Sequence, residues 1–339
     1  MEMKNMQLFA DNPTVNVTTD SGLSAENKTF YDRALIEEAQ PNLIHGQFGQ
    51  KRPIPRNGGK RIQFRRYASL PKALKPLTEG VTPEGRKLSA TALEAEVNQY
   101  GDFVCLSDVL DLTAIDNNVL EATKAVGRQA GLTLDTITRN VLQSGTNVYY
   151  CPKAAANGQT TPVTDRSGLD KTCVLTVDVV KKVAAMLKAA NAPRIAGDYV
   201  CILHPYVAYD IMSDPHWEDM HKYCSPENMY EGEIGRIAGV RFVETSEAAV
   251  YKGDGDECPA GLAVFGALFL AEGAYGVTEV TGGGLQTIVK QLGSAGTADP
   301  LDQRSTVGWK ALQTAEILME PYMVRVECCS AFSPTAEAN

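Results

Sequence analysis

The spacing of hydrophobic and polar positions changes several times along the chain, and each change marks an element. Ile62 and Phe64 alternate with Arg61, Gln63 and Arg65; on the return, Leu93, Ala95 and Val97 alternate with Glu94, Glu96 and Asn98. A period of two puts every second residue on one face, so residues 51–104 are expected to form a long β-hairpin. Its outer face is basic on one strand and acidic on the other, which suits pairing across the ladder. The connection over residues 68–90 holds Pro71, Pro76, Gly80, Pro83 and Gly85 and few apolar anchors. A connection that long is unusual in a compact domain and points to a functional or mobile segment.

The period then becomes helical. Val119, Val126, Ala130, Leu134, Ile137 and Val141 form one apolar stripe, which predicts a helix over 117–144, capped by Asp116 or Asn117 and ended by Gly145. At 1.5 Å per residue it would be roughly 42 Å long, so it must lie along a sheet or beside another subunit. Shorter helices are expected over 25–39, capped by Ser24 and stopped by Pro41, and over 107–115, capped by Ser107. From Thr172 onward the pattern is α/β. Thr176 opens a helix carrying Val179, Val180, Val183 and Leu187 and closed by Pro193. Residues 199–203 form an apolar strand, and Pro205 suits the first turn of a helix to about Met212. Further strands are expected over 240–245, 285–291, 307–314 and 322–328, and residues 262–270 read as a buried strand or a strand-helix junction. Residues 1–24 are polar and aperiodic and read as an extended arm.

A content of 44% hydrophobic residues over 339 is enough for a real core, and 22% charged residues is an ordinary value for a soluble chain. The N-terminus has no basic start followed by an apolar run, so no secretory signal is expected, and the apolar run at 260–271 is too short to span a bilayer. The eight cysteines, Cys105, Cys151, Cys173, Cys201, Cys224, Cys258, Cys328 and Cys329, form no CxxC pair and mostly sit in apolar runs. They read as reduced, buried thiols. Charge changes the picture more. The net charge is −9, but residues 51–90 carry eleven basic and two acidic groups, net +9, whereas residues 91–339 carry eighteen basic and thirty-two acidic groups, net −14. A basic segment on an acidic body suits either an anionic ligand or another copy of the same chain.

No catalytic constellation stands out. His216 and His221 lie near Asp214, Glu218 and Asp219, but an i, i+5 spacing puts the two imidazoles on different faces of a helix. His204, before Pro205, reads as a strand-end residue. The acidic run 253–257 lacks the spacing of a calcium loop, and the glycines at 282–284 precede no Lys-Ser/Thr pair. Catalytic, cofactor and metal residues are therefore assigned to none. Two rivals remain: an α/β hydrolase or metal enzyme using His204, His216 or His221, and a DNA-binding protein using the basic run 51–66.

Three segments carry a resemblance: HPYVAYDIMSDPHW at 204–217, GEIGRIAGVRFVETSEA at 232–248 and DPLDQRSTVGWKALQTAEIL at 299–318. With the order arm, hairpin, long helix, α/β module and return strands, they resemble the Hong Kong 97-type (Johnson) fold of tailed-phage major capsid proteins, and the family typified by enquatrovirus-type coliphages. The resemblance implies an α+β fold. Its parts are an N-terminal arm (1–50), an extended E-loop with its strands (51–104), a peripheral domain (105–171) holding the spine helix 117–144, an axial domain (172–284), and return strands of the peripheral domain with the C-terminus (285–339). It also implies a subunit that self-assembles into hexamers and pentamers of an icosahedral head and encloses double-stranded DNA without reading its sequence. Assembly takes place in the bacterial cytoplasm, with a separate scaffolding protein and a portal, and with a decoration protein as a further partner the family admits; no membrane is involved. The expected subunit-interface residues are Arg65, Arg66, Lys72, Lys75, Arg86 and Lys87, paired with acids of an adjacent copy.

Overall fold

The computed structural model describes Leu35, Glu38, Ala39 and residues 43–339, except for 55–59, 68–69, 77–78, 81, 83–84, 114–117, 155–158, 218–234, 254–256, 281–283 and 295–298. Most of the helix expected over 25–39, the caps Asp116 and Asn117, His221, Cys224, and parts of the acidic run 253–257 and of the glycine run lie outside the described residues. In chain order the strands are β1 (Gln50–Ile54), β2 (Arg61–Tyr67), β3 (Ala90–Glu96), β4 (Asn98–Ser107), β5 (Val148–Tyr150), β6 (Lys153–Ala154), β7 (Thr160–Thr161), β8 (Tyr199–Leu203), β9 (Arg236–Ile237), β10 (Val240–Glu244), β11 (Val250–Lys252), β12 (Ala263–Leu270), β13 (Tyr275–Val280), β14 (Gln286–Lys290), β15 (Arg304–Gln313), β16 (Ala315–Ile317) and β17 (Met323–Cys328). Helices span Asp108–Thr113, Asn118–Gln143, Val177–Ala189 and Pro205–Met212.

The chain divides into two compact units. The smaller comprises 1–41, 101–131 and 285–311. Its sheet has the order β14-β15-β4. Backbones approach closely where side chains are missing: a Cβ on Gly308 would fall 2.8 Å from Phe103 Cβ and 2.9 Å from the Asp102 carbonyl. Trp309 Nε1 donates to Gln129 Oε1 at 3.4 Å, and Gln129 Nε2 donates to Asp102 Oδ2 at 2.6 Å, so the long helix is tied to two strands of this sheet. The expected cap of the short helix is present, with Ser107 Oγ accepting from Leu110 N at 3.3 Å.

The larger unit comprises 42–100, 132–284 and 312–339. Its main sheet runs β5-β17-β12-β8-β10-β9, with β11 paired to β12. Tyr199, Cys201 and Leu203 of β8 and Phe265, Ala267 and Phe269 of β12 face the helix Val177–Ala189 in one apolar cluster. Val200, Ile202, Leu268 and Leu270 face the other way, onto Leu142 of the long helix and Tyr275. Both faces are covered, which is why these strands read as unbroken apolar runs rather than alternating ones. Six thiols, those of Cys151, Cys173, Cys201, Cys258, Cys328 and Cys329, lie within this core as free, buried cysteines. The hydrogen bond to Cys151 and burial push Cys328 well above its ordinary value, and burial pushes Cys329 up to about 12. Neutral thiols in such surroundings are inert. Cys105 departs from the expectation of burial and is exposed.

Three expectations are corrected. Residues 51–104 do not form one hairpin: the hairpin is β2 with β3, while β1 pairs in parallel with β13 and β4 joins the sheet of β14 and β15. The strand Met323–Cys328, expected among the return strands of residues 285–339, lies inside the main sheet between β5 and β12. Thr176 stands at the N-cap but makes no side-chain cap bond. The Val177 N–H is instead accepted by Asp214 Oδ2 at 2.9 Å, a carboxylate from another element that also suits the positive end of the helix.

One charged cluster is built into the main sheet. Glu327 is fully buried and grips Arg166 through two bonds, Nε to Oε2 at 2.7 Å and Nη2 to Oε1 at 2.6 Å, with Arg325 Nε 3.0 Å from Oε1. Arg166 also stacks on Tyr251, 3.8 Å from the ring centroid. Removing one partner of a buried ionic set strands the other charges. Glu327→Gln is expected to lower subunit stability by about 3–5 kcal/mol in urea unfolding; unchanged stability would show that the cluster is solvated.

Candidate functional site

The hairpin has a fixed root and a free length. β2 and β3 pair from Arg61↔Glu96 to Tyr67↔Ala90, with Phe64 opposite Leu93. Phe64 is 1% exposed and packs with Ala95 and Leu318. Its ring lies over Gly276, where a Cβ would fall 2.8 Å from Phe64 Cζ. The glycine is therefore the seat of the ring. On the outer face Arg61 Nη1 stands 3.8 Å from Glu94 Oε2, and Gln63 Nε2 donates to Glu94 Oε1 at 2.7 Å. The expected cross-strand pairing of basic and acidic faces is thus present at the root, although an exposed pair of this kind contributes only about 0–1 kcal/mol.

Beyond the root the chain is open. Every described residue from 65 to 92 is exposed, including Tyr67, Leu70, Leu74 and Leu88. The six expected interface cations all lie on this exposed stretch. Arg66 turns back on its own chain, donating to the Leu318 carbonyl at 3.4 Å, and Arg86 donates to the Pro71 carbonyl at 3.0 Å. Arg65, Lys72, Lys75 and Lys87 have no ion-pair partner among the described residues. The six are brought onto one projection rather than gathered into a pocket.

The end of the arm is anchored by a buried pair that the sequence reading missed. His45 N donates to Asp135 Oδ1 at 2.7 Å, and His45 Nδ1 lies 2.6 Å from Asp135 Oδ2. The Tyr275 hydroxyl donates to the His45 carbonyl. Both side chains of the pair are fully buried, so the arm enters the larger unit at a point held by the long helix and by β13. The contacts pair residues far apart in sequence, and a lone histidine in a polar arm gives no signal for them.

The residues weighed for catalysis are not brought together. His204 caps the helix Pro205–Met212, its Nδ1 accepting from Tyr206 N at 3.2 Å, and it packs on Tyr206 and Phe265; burial lowers its pKa. The His216 backbone N–H is accepted by Asp214 Oδ1 at 2.9 Å. Among the described residues no group of three His, Cys, Asp or Glu could hold a metal, and no helix is long and apolar enough to cross a membrane.

A family model described as phage capsid protein matches residues 69–293. The chain belongs to the phage capsid protein family. This capsid protein is a component of the phage head shell, and its α+β fold is that of solved phage capsids. The cyanophage Pam1 capsid is similar over 97% of this chain and 98% of its own, at TM-score 0.65 and 12% identity. The capsid of cyanophage P-SCSP1u is similar over 84% and 87%, at TM-score 0.62 and 13% identity. That of Ralstonia phage GP4 is similar over 85% and 88%, at TM-score 0.60 and 14% identity. No curated protein matches the chain in sequence. The family match covers the free length of the hairpin, the long helix and most of the main sheet.

Phe64→Ala empties the seat over Gly276. It is expected to cost about 3–5 kcal/mol and to make the backbone amides of 61–67 exchange with solvent much faster. Hydrogen exchange on the unassembled subunit checks this; unchanged protection at 61–67 would show that another contact holds the root.

Proposed function

We propose that this capsid protein is the major capsid protein of a tailed double-stranded DNA bacteriophage, of the Hong Kong 97 type and near the enquatrovirus-type coliphage capsids. Copies assemble into hexamers and pentamers of an icosahedral head in the host cytoplasm. A separate scaffolding protein guides assembly, a portal occupies one vertex, and a decoration protein is a further partner. The hairpin of β2 and β3 serves as the extended loop, the helix Asn118–Gln143 as the spine, and residues 172–284 with β17 as the axial domain. The role is structural, without catalysis.

The observation that carries this reading is the free length of the hairpin. A soluble subunit gains nothing from a rooted projection that exposes three leucines and four cations with no ion-pair partner among the described residues. In a shell the same projection has somewhere to go. The stretch 51–90 has a net charge of +9, against −14 for residues 91–339, so Arg65, Arg66, Lys72, Lys75, Arg86 and Lys87 are suited to acids on an adjacent copy. Each exposed pair contributes little, but a set repeated at every subunit sets register and partner choice. The acidic body repels phosphates, so enclosed DNA is held without sequence-specific contacts.

The test is assembly with the cognate scaffolding protein, followed by electron microscopy across a salt series. The wild-type protein is expected to form closed shells. Reversing Arg65, Lys72, Lys75 and Lys87 to glutamate is expected to abolish them at low salt while leaving subunit stability within about 1 kcal/mol. Wild-type protein that never forms shells would overturn the shell reading. Reversed protein that assembles normally would overturn the electrostatic docking of the hairpin.

A further inference from the structure

Arg139, on the long helix, is 4% exposed and forms no ion pair with a carboxylate side chain among the described residues. A guanidinium stays charged in a protein, so oxygens must meet it in place of water. The Glu247 carbonyl accepts from Nη1 at 3.0 Å, and the Asn140 side chain accepts from Nη2 at 3.1 Å. Asn339 supplies two more acceptors: its Oδ1 takes Nη1 at 2.9 Å, and its backbone oxygen takes Nη2 at 3.1 Å. The Asn339 side chain is itself fully used. Oδ1 also accepts from the Val250 N–H at 3.1 Å, and Nδ2 donates to the Ser246 and Ala248 carbonyls at 3.2 and 3.1 Å. A primary amide has two accepting and two donating positions, and all four are met. The site therefore reads an amide: a carboxylate has no hydrogen to offer the two carbonyls.

We propose that Arg139 and residues 246–250 form a receptor site for the Asn339 side chain, and that residues 330–339 are a strap that closes by docking there. The strap starts on the opposite face of the main sheet. Ser330 Oγ donates to the Tyr206 carbonyl at 3.2 Å, and Asp210 Oδ2 accepts from the Ala331 N–H at 3.1 Å. The Phe332 ring lies 4.8 Å from that of Tyr206 and 5.2 Å from that of Tyr209, centroid to centroid. These residues belong to the helix Pro205–Met212, whose Val207, Ala208 and Ile211 pack on one face of the sheet, whereas Leu142 of the long helix packs on the other. On the way the Pro334 carbonyl accepts from the Ala263 N–H at 2.8 Å, and the Thr335 carbonyl accepts from Lys252 Nζ at 3.3 Å. The strap thus passes the start of β12 and the end of β11 and joins the helical layers of both faces. Phe332, its one large apolar side chain, is 57% exposed. A segment with so little apolar burial opens at a lower free energy than the core, so the polar clasp at Asn339 decides whether it stays closed. Once the clasp is open, the Glu247 carbonyl is the remaining bond from Arg139 to residues 246–250.

The strap is a property of the single subunit and stands apart from the shell reading, so the unassembled full-length chain suffices to test it. Hydrogen exchange is compared between the wild-type protein and Asn339→Ala. The amides of Val250, Ala263 and Ala331, each bonded to or within the strap, are expected to exchange about tenfold faster or more in the variant. Those of residues 324–328, inside the main sheet, are expected to keep their wild-type rates. An acetylated peptide of residues 330–339, added to a chain lacking them, is expected to restore slow exchange at Val250. The same peptide with alanine or aspartate in place of the asparagine is expected to fail. Where the shortened chain does not fold, the peptides are added to Asn339→Ala instead. Unchanged rates at all three amides overturn the inference. Acceleration at Val250 alone overturns it too, since the amide would then hold only its own loop. So does acceleration that extends through 324–328, which would make Asn339 a support of the whole fold. Equal protection by the alanine or aspartate peptide overturns the reading of an amide.

Discussion

Phe64 can enter the interior only because residue 276 has no side chain, and the course of the hairpin follows from that contact. β13 is the point where separate parts of the larger unit meet. Tyr275 holds the carbonyl of His45, Gly276 seats Phe64, and the strand pairs with β1 on one side and β16 on the other. The arm, the hairpin root and the main core are therefore fastened at two consecutive residues, Tyr275 and Gly276. A side chain at 276 would displace the ring and unseat the root. Past Arg65 every described residue as far as 92 is exposed, Leu70, Leu74 and Leu88 and Lys72, Lys75 and Lys87 among them.

The interior and the projection are built on opposite rules. In the main sheet, charge is admitted only when it is matched at close range, as Arg166 and Arg325 are around Glu327. Thiols are kept neutral by burial, and apolar side chains cover both faces. On the hairpin past its root, the described leucines are exposed, and Arg65, Lys72, Lys75 and Lys87 have no ion-pair partner among the described residues. A core whose charges are matched, beside a projection left exposed, suits a shell subunit, in which one copy can complete another.

Local elements were legible in the sequence, whereas pairings between distant segments were not. Tyr199–Leu203 and Pro205–Met212 match the apolar run and the proline at the first turn, and the long helix begins and ends one residue inside its expected limits. The alternation about Phe64 identified β2 and β3. It could not separate β1 and β4 from them, because alternation gives the face a residue takes but not the strand it pairs with. The parallel pairing of β1 with β13 and the place of β17 beside β12 depend on contacts across most of the chain. Asp214 replaced Thr176 as the acceptor at the helix start for the same reason. The cations of the hairpin were found by composition. Composition names no partner for them.

A density map of the assembled shell, at a resolution that shows side chains, tests the central claim most directly. The account predicts that residues 70–88 lie against a neighbouring copy, with Leu74 and Leu88 covered and the lysines near its acids. Residues 70–88 packed on their own chain, or left in solvent on the finished shell, would contradict it.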